Sequence, residues 1–286
     1  MSDPNGPDPN GPDPNGPDPN GPDPIELVDV DRYPLHRPDS AEYAALVERC
    51  RAQLVQQGTY DLIGFLRPDA VTRAVTEMRP LIDHASFLHR RTHNVWFLPA
   101  DAVEGVAPDH PSLAEMHTSN RTVCADQMVG TVVLAAYQWE PLRRFIAATV
   151  GVPALHLMAD PLACANVMSY RNREALNWHF DRAAFTNTLL LQRPDVGGEF
   201  ELRPGLRSAD HVDHDGVAAV VAGTDHAVQR RNVEPGTLNV FTGRHILHRV
   251  APVQGPTDRM IAVFSYAEND DVVFTAQERI GFYGRS

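Results

Sequence analysis

Between residues 154 and 266 the sequence falls into short apolar segments, each set off from the next by turn-forming residues. Segments of four to eight residues punctuated in this way read as strands, and they are too short for ordinary helices. Candidates are 154–158, 164–170, 185–192, 199–203, 217–221, 227–231, 237–241 and 260–266. So many short strands in succession can bury their apolar faces only against one another, in a sandwich or barrel. Ahead of them the texture is mostly helical. Residues 40–57 have amphipathic spacing, with Asp39 or Ser40 as cap and Gly58 as stop. A second helix is expected from Pro68-Asp69 to about His89, and a third over 139–150, ended by Gly151-Val152-Pro153. Short strands are expected at 25–30 and 59–66, and a polar, irregular stretch precedes Arg121. Helices followed by short strands predict an α+β fold: a double-stranded β-helix (jelly roll) core with supporting N-terminal helices.

The first residues stand apart. Residues 3–22 are four copies of Asp-Pro-Asn-Gly-Pro, followed by Asp23-Pro24. Proline removes backbone donors and Asn-Gly favours turns, so this stretch can build neither a helix nor a packed strand. Residues 1–24 are expected to be a disordered tail, and 25–286 a single domain.

Composition removes whole classes of function. The chain contains no lysine, so all 25 basic residues are arginine. Schiff-base chemistry, pyridoxal phosphate chemistry and the phosphate-loop lysine are therefore excluded. The net charge of −12 argues against nucleic acid as a partner. Cys50, Cys124 and Cys164 lie far apart, which fits buried apolar thiols and not a disulfide framework. No apolar run approaches the roughly 20 residues of a membrane span, and no secretory signal pattern is seen, so a cytoplasmic location is expected.

Asn177-Trp-His179-Phe-Asp181 carries the first half of the chemistry. In extended chain, residues i and i+2 point the same way, so His179 and Asp181 can reach one metal ion together. His248, in a later strand segment with Val250, supplies a second imidazole. Two histidines and a carboxylate with open positions suit non-haem Fe(II) oxygen chemistry. Arg259, eleven residues further on, can grip a carboxylate with its planar fork, as a dicarboxylate co-substrate requires. Two other sets of residues compete for these roles. His211-Val-Asp213 is a second His-x-Asp, but its acidic surroundings suggest a solvated loop, and His245 competes with His248 but sits worse relative to Arg259. His84, His89, His93 and His110 fit surface or capping roles, although one of them could line a substrate pocket.

With these residues in view, the sequence resembles the Fe(II)/2-oxoglutarate-dependent oxygenases. The likeness rests on 178–181, Leu189-Leu-Leu-Gln192, Gly197-Gly-Glu-Phe-Glu-Leu202 and the block 236–266. It is nearest to a small branch of free-amino-acid hydroxylases and halogenases, and extends weakly over 40–286, including Asp160-Pro161 and Phe282-Tyr-Gly-Arg285. The resemblance implies Fe(II), 2-oxoglutarate and O2, and a small-molecule substrate, an amino acid or its derivative, oxidised in specialised metabolism by hydroxylation, desaturation or ring closure such as cyclopropanation. It implies a role for Tyr170 on the 2-oxoglutarate. Halogenases of this branch carry glycine in place of the metal-binding carboxylate, so Asp181 implies oxygenation. Arg182, beside the motif, would repel an ammonium and favours a substrate with a neutral, anionic or nitro terminus. Trp178 is a further candidate for touching substrate. Phe282 and Tyr283 could close over it, or pack the tail against the barrel. Hydroxylation of a protein- or carrier-bound residue, or a non-catalytic metal-binding jelly roll, would use the same residues.

Overall fold

A computed structural model describes residues 21–286; the expectation for the repeat tail up to residue 20 lies outside the described residues. The helical layer comprises Pro24–Leu27 (α1), Ala41–Gln57 (α2), Pro68–His84 (α3), Val132–Gln138 (α4) and Glu140–Val150 (α5). Strands Thr59–Leu62 (β1), Phe87–His93 (β2) and Met116–Cys124 (β3) run between them. Next come His156–Leu157 (β4), Ala165–Tyr170 (β5), Leu176–His179 (β6), Thr186–Gln192 (β7), Val196–Gly197 (β8) and Phe200–Arg203 (β9). Helix His214–Val221 (α6) precedes Gln229–Arg231 (β10), Leu238–Phe241 (β11), Leu247–Val250 (β12) and Val253–Gln254 (β13). Arg259–Phe264 (β14), Tyr266–Ala267 (β15) and Ala276–Tyr283 (α7) complete the described chain.

Two antiparallel sheets form the jelly roll. The major sheet has the order β1-β11-β7-β14-β5-β3-β2 and the minor sheet β10-β9-β12-β6. Strand alternation gives each residue of the major sheet one of two destinations. Met260, Ala262 and Phe264 of β14 join Leu189, Leu191 and Val240 in the main core, against the helices. Their neighbours Arg259, Ile261 and Val263 face a cavity inside the roll. Helix α2 shows why the supporting layer forms: the Ser40 hydroxyl accepts from the Tyr43 N–H, and Tyr43, Leu46, Cys50 and Leu54 line its buried face. Gly58, at φ 72°, ends it in the left-handed turn that glycine tolerates best.

Several expectations need correction. The strand at 25–30 is a helical turn, with Pro24 in its first position and the Asp23 carboxylate bonded to the Ile25 N–H; only Val28 pairs, with Leu66. The strand at 217–221 is the helix α6, whose buried Val217 and Val220 have helical spacing and whose N-terminus is capped by Asp213. A short apolar run does not by itself distinguish the two. Helix α3 stops at His84 rather than near His89, because Phe87–His93 pairs with Met116–Thr122 across the stretch expected to be irregular. Helix α4 adds a further helix to those expected, capped by the Thr131 hydroxyl. The strand from Thr59 ends at Leu62, before the turn at Gly64.

The C-terminal helix is latched onto the roll by a wholly buried carboxylate. Asp160 accepts from the backbone N–H groups of Leu162, Ala163 and Phe274 and from Arg279 Nε. Among the described residues no helix is long and apolar enough to cross a membrane.

Candidate metal centre and co-substrate cavity

The minor sheet brings the two histidines together. His179 ends β6 and His248 lies directly across from it in β12. Asp181 follows just outside β6, held by its N–H to the Gly243 carbonyl at 3.0 Å. Ligand atoms of His179, Asp181 and His248 all lie within 4.8 Å of one another. Each imidazole offers the same nitrogen inward. His179 Nδ1 lies 2.8 Å from the Asn177 carbonyl and His248 Nδ1 2.9 Å from that of Ile246, so each Nδ1–H donates and each Nε2 keeps a free lone pair. Backbone acceptors of this kind fix the tautomer and aim of metal-binding histidines. The Thr186 hydroxyl donates to Asp181 Oδ2 at 2.5 Å. Burial alone would raise the Asp181 carboxyl, but His248 and His179 outweigh it and hold the group well below the usual carboxylate range. Burial, with His179 adding to it, pushes His248 down to about 4, so its ring is neutral and ready to ligate at physiological pH.

From the triad a cavity of about 140 Å³ runs into the roll. Arg259 and its cross-strand neighbour Tyr170 both line it. Arg259 is 3% exposed, its Nε is buried without a hydrogen bond, and no carboxylate pairs with its guanidinium among the described residues. Burial pushes it down to about 10. The adjacent Asp258 faces elsewhere, gripped by both terminal nitrogens of Arg79 at 3.0 and 2.8 Å, and this fixes the start of β14. The buried hydroxyl of Thr237 also lines the cavity and also lacks a partner. A buried cation and hydroxyl left unsatisfied are costly unless a ligand completes them. The donor set fits a small anion at that end and a divalent metal at the other.

The remaining candidates sit elsewhere. Trp178 points away from the cavity, packed with Val95 and Phe180 beneath the Arg249 guanidinium at 4.7 Å. Tyr283 is buried in the main core with its hydroxyl 3.1 Å from Asn166 Oδ1, and Phe282 packs on Phe274 and His89. Both belong to the packed tail and neither lines the cavity. Arg182 is exposed and pairs with Glu278 at 2.7 Å. Asp213 caps α6, His211 is exposed, and His245 is half-buried outside the triad. His93 is buried between Asn94 and Thr118, while His110 caps a short 3-10 turn.

Sequence reasoning missed three contributors. Thr237 and Thr186 carry no local signal. Gly243 leaves room for the carboxylate: a Cβ there would stand 2.8 Å from Asp181 Cγ and 2.7 Å from Thr186 Oγ1. Gly243 carries no signal of its own, because the contact joins segments distant in sequence.

A family model described as Halogenase D matches residues 104–279. No curated protein sequence matches the chain. Among solved structures, the chain is similar to SnoK, described as a non-haem α-ketoglutarate-dependent carbocyclase from nogalamycin biosynthesis. That match has a TM-score of 0.53 and 14% identity, over 78% of this chain and 85% of SnoK. It is also similar to AviO1 from Streptomyces viridochromogenes Tue57, with a TM-score of 0.50 and 19% identity over 82% of this chain and 98% of AviO1. The epimerase SnoN, from nogalamycin biosynthesis, gives a TM-score of 0.50 and 16% identity over 78% and 81%. At such identities the similarity establishes a shared fold.

Proposed function

The chain belongs to the halogenase D family, and from that premise we propose that it is a non-haem Fe(II)/2-oxoglutarate-dependent oxygenase that oxidises a C–H bond of a free amino acid or amino-acid derivative. The observation that carries this reading is the pairing of an intact His179–Asp181–His248 triad with the unpartnered Arg259 in one cavity. His179, Asp181 and His248 would hold Fe(II). Arg259 would bind the far carboxylate of 2-oxoglutarate, with the Thr237 hydroxyl donating a second bond and Tyr170 walling the same end. Fe(II) with 2-oxoglutarate and O2 supplies an oxidant able to attack an unactivated C–H bond, as the co-substrate is converted to succinate and CO2.

The residues of this chain set the outcome around that chemistry. The apolar lining, including Leu190, Val250 and Ile261, excludes water from the buried end, which strengthens the grip of Arg259 on its carboxylate. Asp181 keeps the third protein ligand position filled, which favours oxygenation where the family name suggests halogen transfer. Hydroxylation, desaturation and ring closure all use this residue set, and the proposal includes a role in specialised metabolism.

The test follows succinate formation from 2-oxoglutarate with Fe(II), ascorbate and air across a panel of amino acids and derivatives. Substrate-stimulated succinate, lost in both His179→Ala and Arg259→Ala, is expected, with an oxygenated, desaturated or cyclised product and no halogenated one in chloride. Absence of iron binding and of succinate throughout the panel would overturn the proposal.

A further inference from the structure

Four arginines cluster beside the segment that carries Asp181, Arg91 close to Arg182 and Arg207 close to Arg244, and a single carboxylate serves them. Arg182 follows Asp181 and takes that carboxylate, Glu278. Arg244 follows Gly243 and donates to the Arg182 carbonyl from Nε at 3.0 Å and from its terminal nitrogen at 2.7 Å. Arg91 lies 4.8 Å over the Phe97 ring, which itself stands 5.3 Å from the ring of His179. Arg207 lies 5.1 Å over Phe180, the residue between the two motif ligands. Both Arg91 and Arg207 are half-buried, and neither has a carboxylate partner among the described residues. The hydrogen bond of Arg91, to the Phe97 carbonyl, is long at 3.4 Å.

Most arginines of comparable burial elsewhere are paired, Arg203 with Asp225, Arg231 with Asp61, Arg249 with Glu201 and Arg279 with Asp160, while Arg143 donates to the Leu155 carbonyl instead. With 37 acidic residues against 25 basic ones, partners are in surplus. Leaving two half-buried cations of one arginine cluster without a carboxylate has a cost that a bound anion would offset. The loop that carries Phe97 is held in an unfavourable conformation as well. Phe97 has φ 56°, a left-handed geometry that costs a non-glycine residue about 1 kcal/mol. This conformation accompanies the placement of its ring between those of His93 and His179, under the Arg91 guanidinium.

We propose that Arg91 and Arg207 are specificity-determining residues that receive a planar anionic group of the substrate, a terminal carboxylate or similar oxygen pair, and that the site rejects a substrate ending in an ammonium. The inference rests on the oxygenase reading for the place of the metal and co-substrate, and it deepens that reading by naming the substrate's charge. Guanidinium planes stacked on aromatic rings stay open to such a group along their edges.

The test is equilibrium binding by calorimetry to the full chain loaded with Mn(II) and saturating N-oxalylglycine, which occupies the cavity at Arg259. L-2-Aminoadipate and L-lysine, alike except for their terminal groups, are the probes. Aminoadipate should bind at least tenfold more tightly than lysine. Arg91→Gln and Arg207→Gln should each weaken it about tenfold and narrow the difference, while Mn(II) and N-oxalylglycine binding stays intact and certifies the fold. Equal or tighter lysine binding, aminoadipate affinity unchanged in both variants, or no binding of either amino acid would overturn the proposal. Failure of Mn(II) and N-oxalylglycine to bind at all would instead overturn the oxygenase reading. The aminoadipate-to-lysine ratio on the metal-free protein would still judge the arginines.

Discussion

Replacing Gly243 by alanine tests whether the triad depends on a space rather than on a contact. A methyl there would sit 2.8 Å from Asp181 Cγ and 2.7 Å from Thr186 Oγ1. Carbon atoms settle at about 3.5–4.0 Å, so the carboxylate must retreat by roughly 1 Å. Metal–ligand distances tolerate only about 0.2 Å, so the displaced group can no longer complete the site. Losses of this kind lower metal affinity about 10–100-fold. Anaerobic titration with Fe(II), or with Mn(II) as a stable substitute, measures it directly. The same clash lowers the melting temperature of the metal-free protein, and here a second substitution separates causes. Asp181→Gly removes the carboxylate the methyl strikes and releases the Thr186 hydroxyl that this carboxylate holds, so the double variant should be more stable than Gly243→Ala alone. Gly243→Ala with metal affinity within twofold of the parent would refute the reasoning.

Arg259→Met should raise the stability of the metal-free protein by about 1–3 kcal/mol, since it removes a buried, unpartnered cation, and should abolish the rise in melting temperature caused by 2-oxoglutarate; a less stable variant that still responds to 2-oxoglutarate would contradict this. Thr237→Val keeps the shape and removes the hydroxyl, so 2-oxoglutarate should bind about tenfold more weakly at unchanged or slightly higher stability, checked by titration and melting. Burial pushes His93 down to about 4 from its ordinary 6.5. The unfolded chain therefore takes up that proton first, and the stability contribution, complete above pH 6.5, is lost as pH falls toward 4. Urea titrations of the metal-free protein should show His93→Gln losing about 2 kcal/mol less than the parent between pH 7 and 4.5. Identical losses would exclude His93 as a source, leaving His248, which titrates in the same sense.

What could be read from sequence was whatever depends on near neighbours along the chain. The i, i+2 alternation at His179 and Asp181 brings their candidate ligand atoms together and turns Phe180 toward Val95, where Trp178, expected as a candidate for touching substrate, packs as well. The same alternation assigns Arg259 to the cavity side of β14. Ser40 and Gly58 mark the ends of α2 because capping is local chemistry. Phe87–His93 escaped notice because it is the half-exposed outer strand of its sheet, so its faces carry little contrast in polarity. Residues 217–221 are too short a run for period to separate helix from strand, and the Asp213 cap decides it. Thr237, Thr186 and Gly243 acquire meaning only from long-range contacts, which no window of sequence contains.

The division of the cavity between two sheets has a consequence for how such a protein can change. Both histidines belong to the minor sheet, whereas Arg259, Tyr170 and Thr237 line the cavity from the major sheet or the chain entering it. Asp181 belongs to neither, being placed by a turn just beyond β6. On the proposed reading, the side chain that would decide which atom is transferred is thus the one least committed to the architecture. A lineage can exchange it, and so move between chemistries, while inheriting its co-substrate grip and its fold intact.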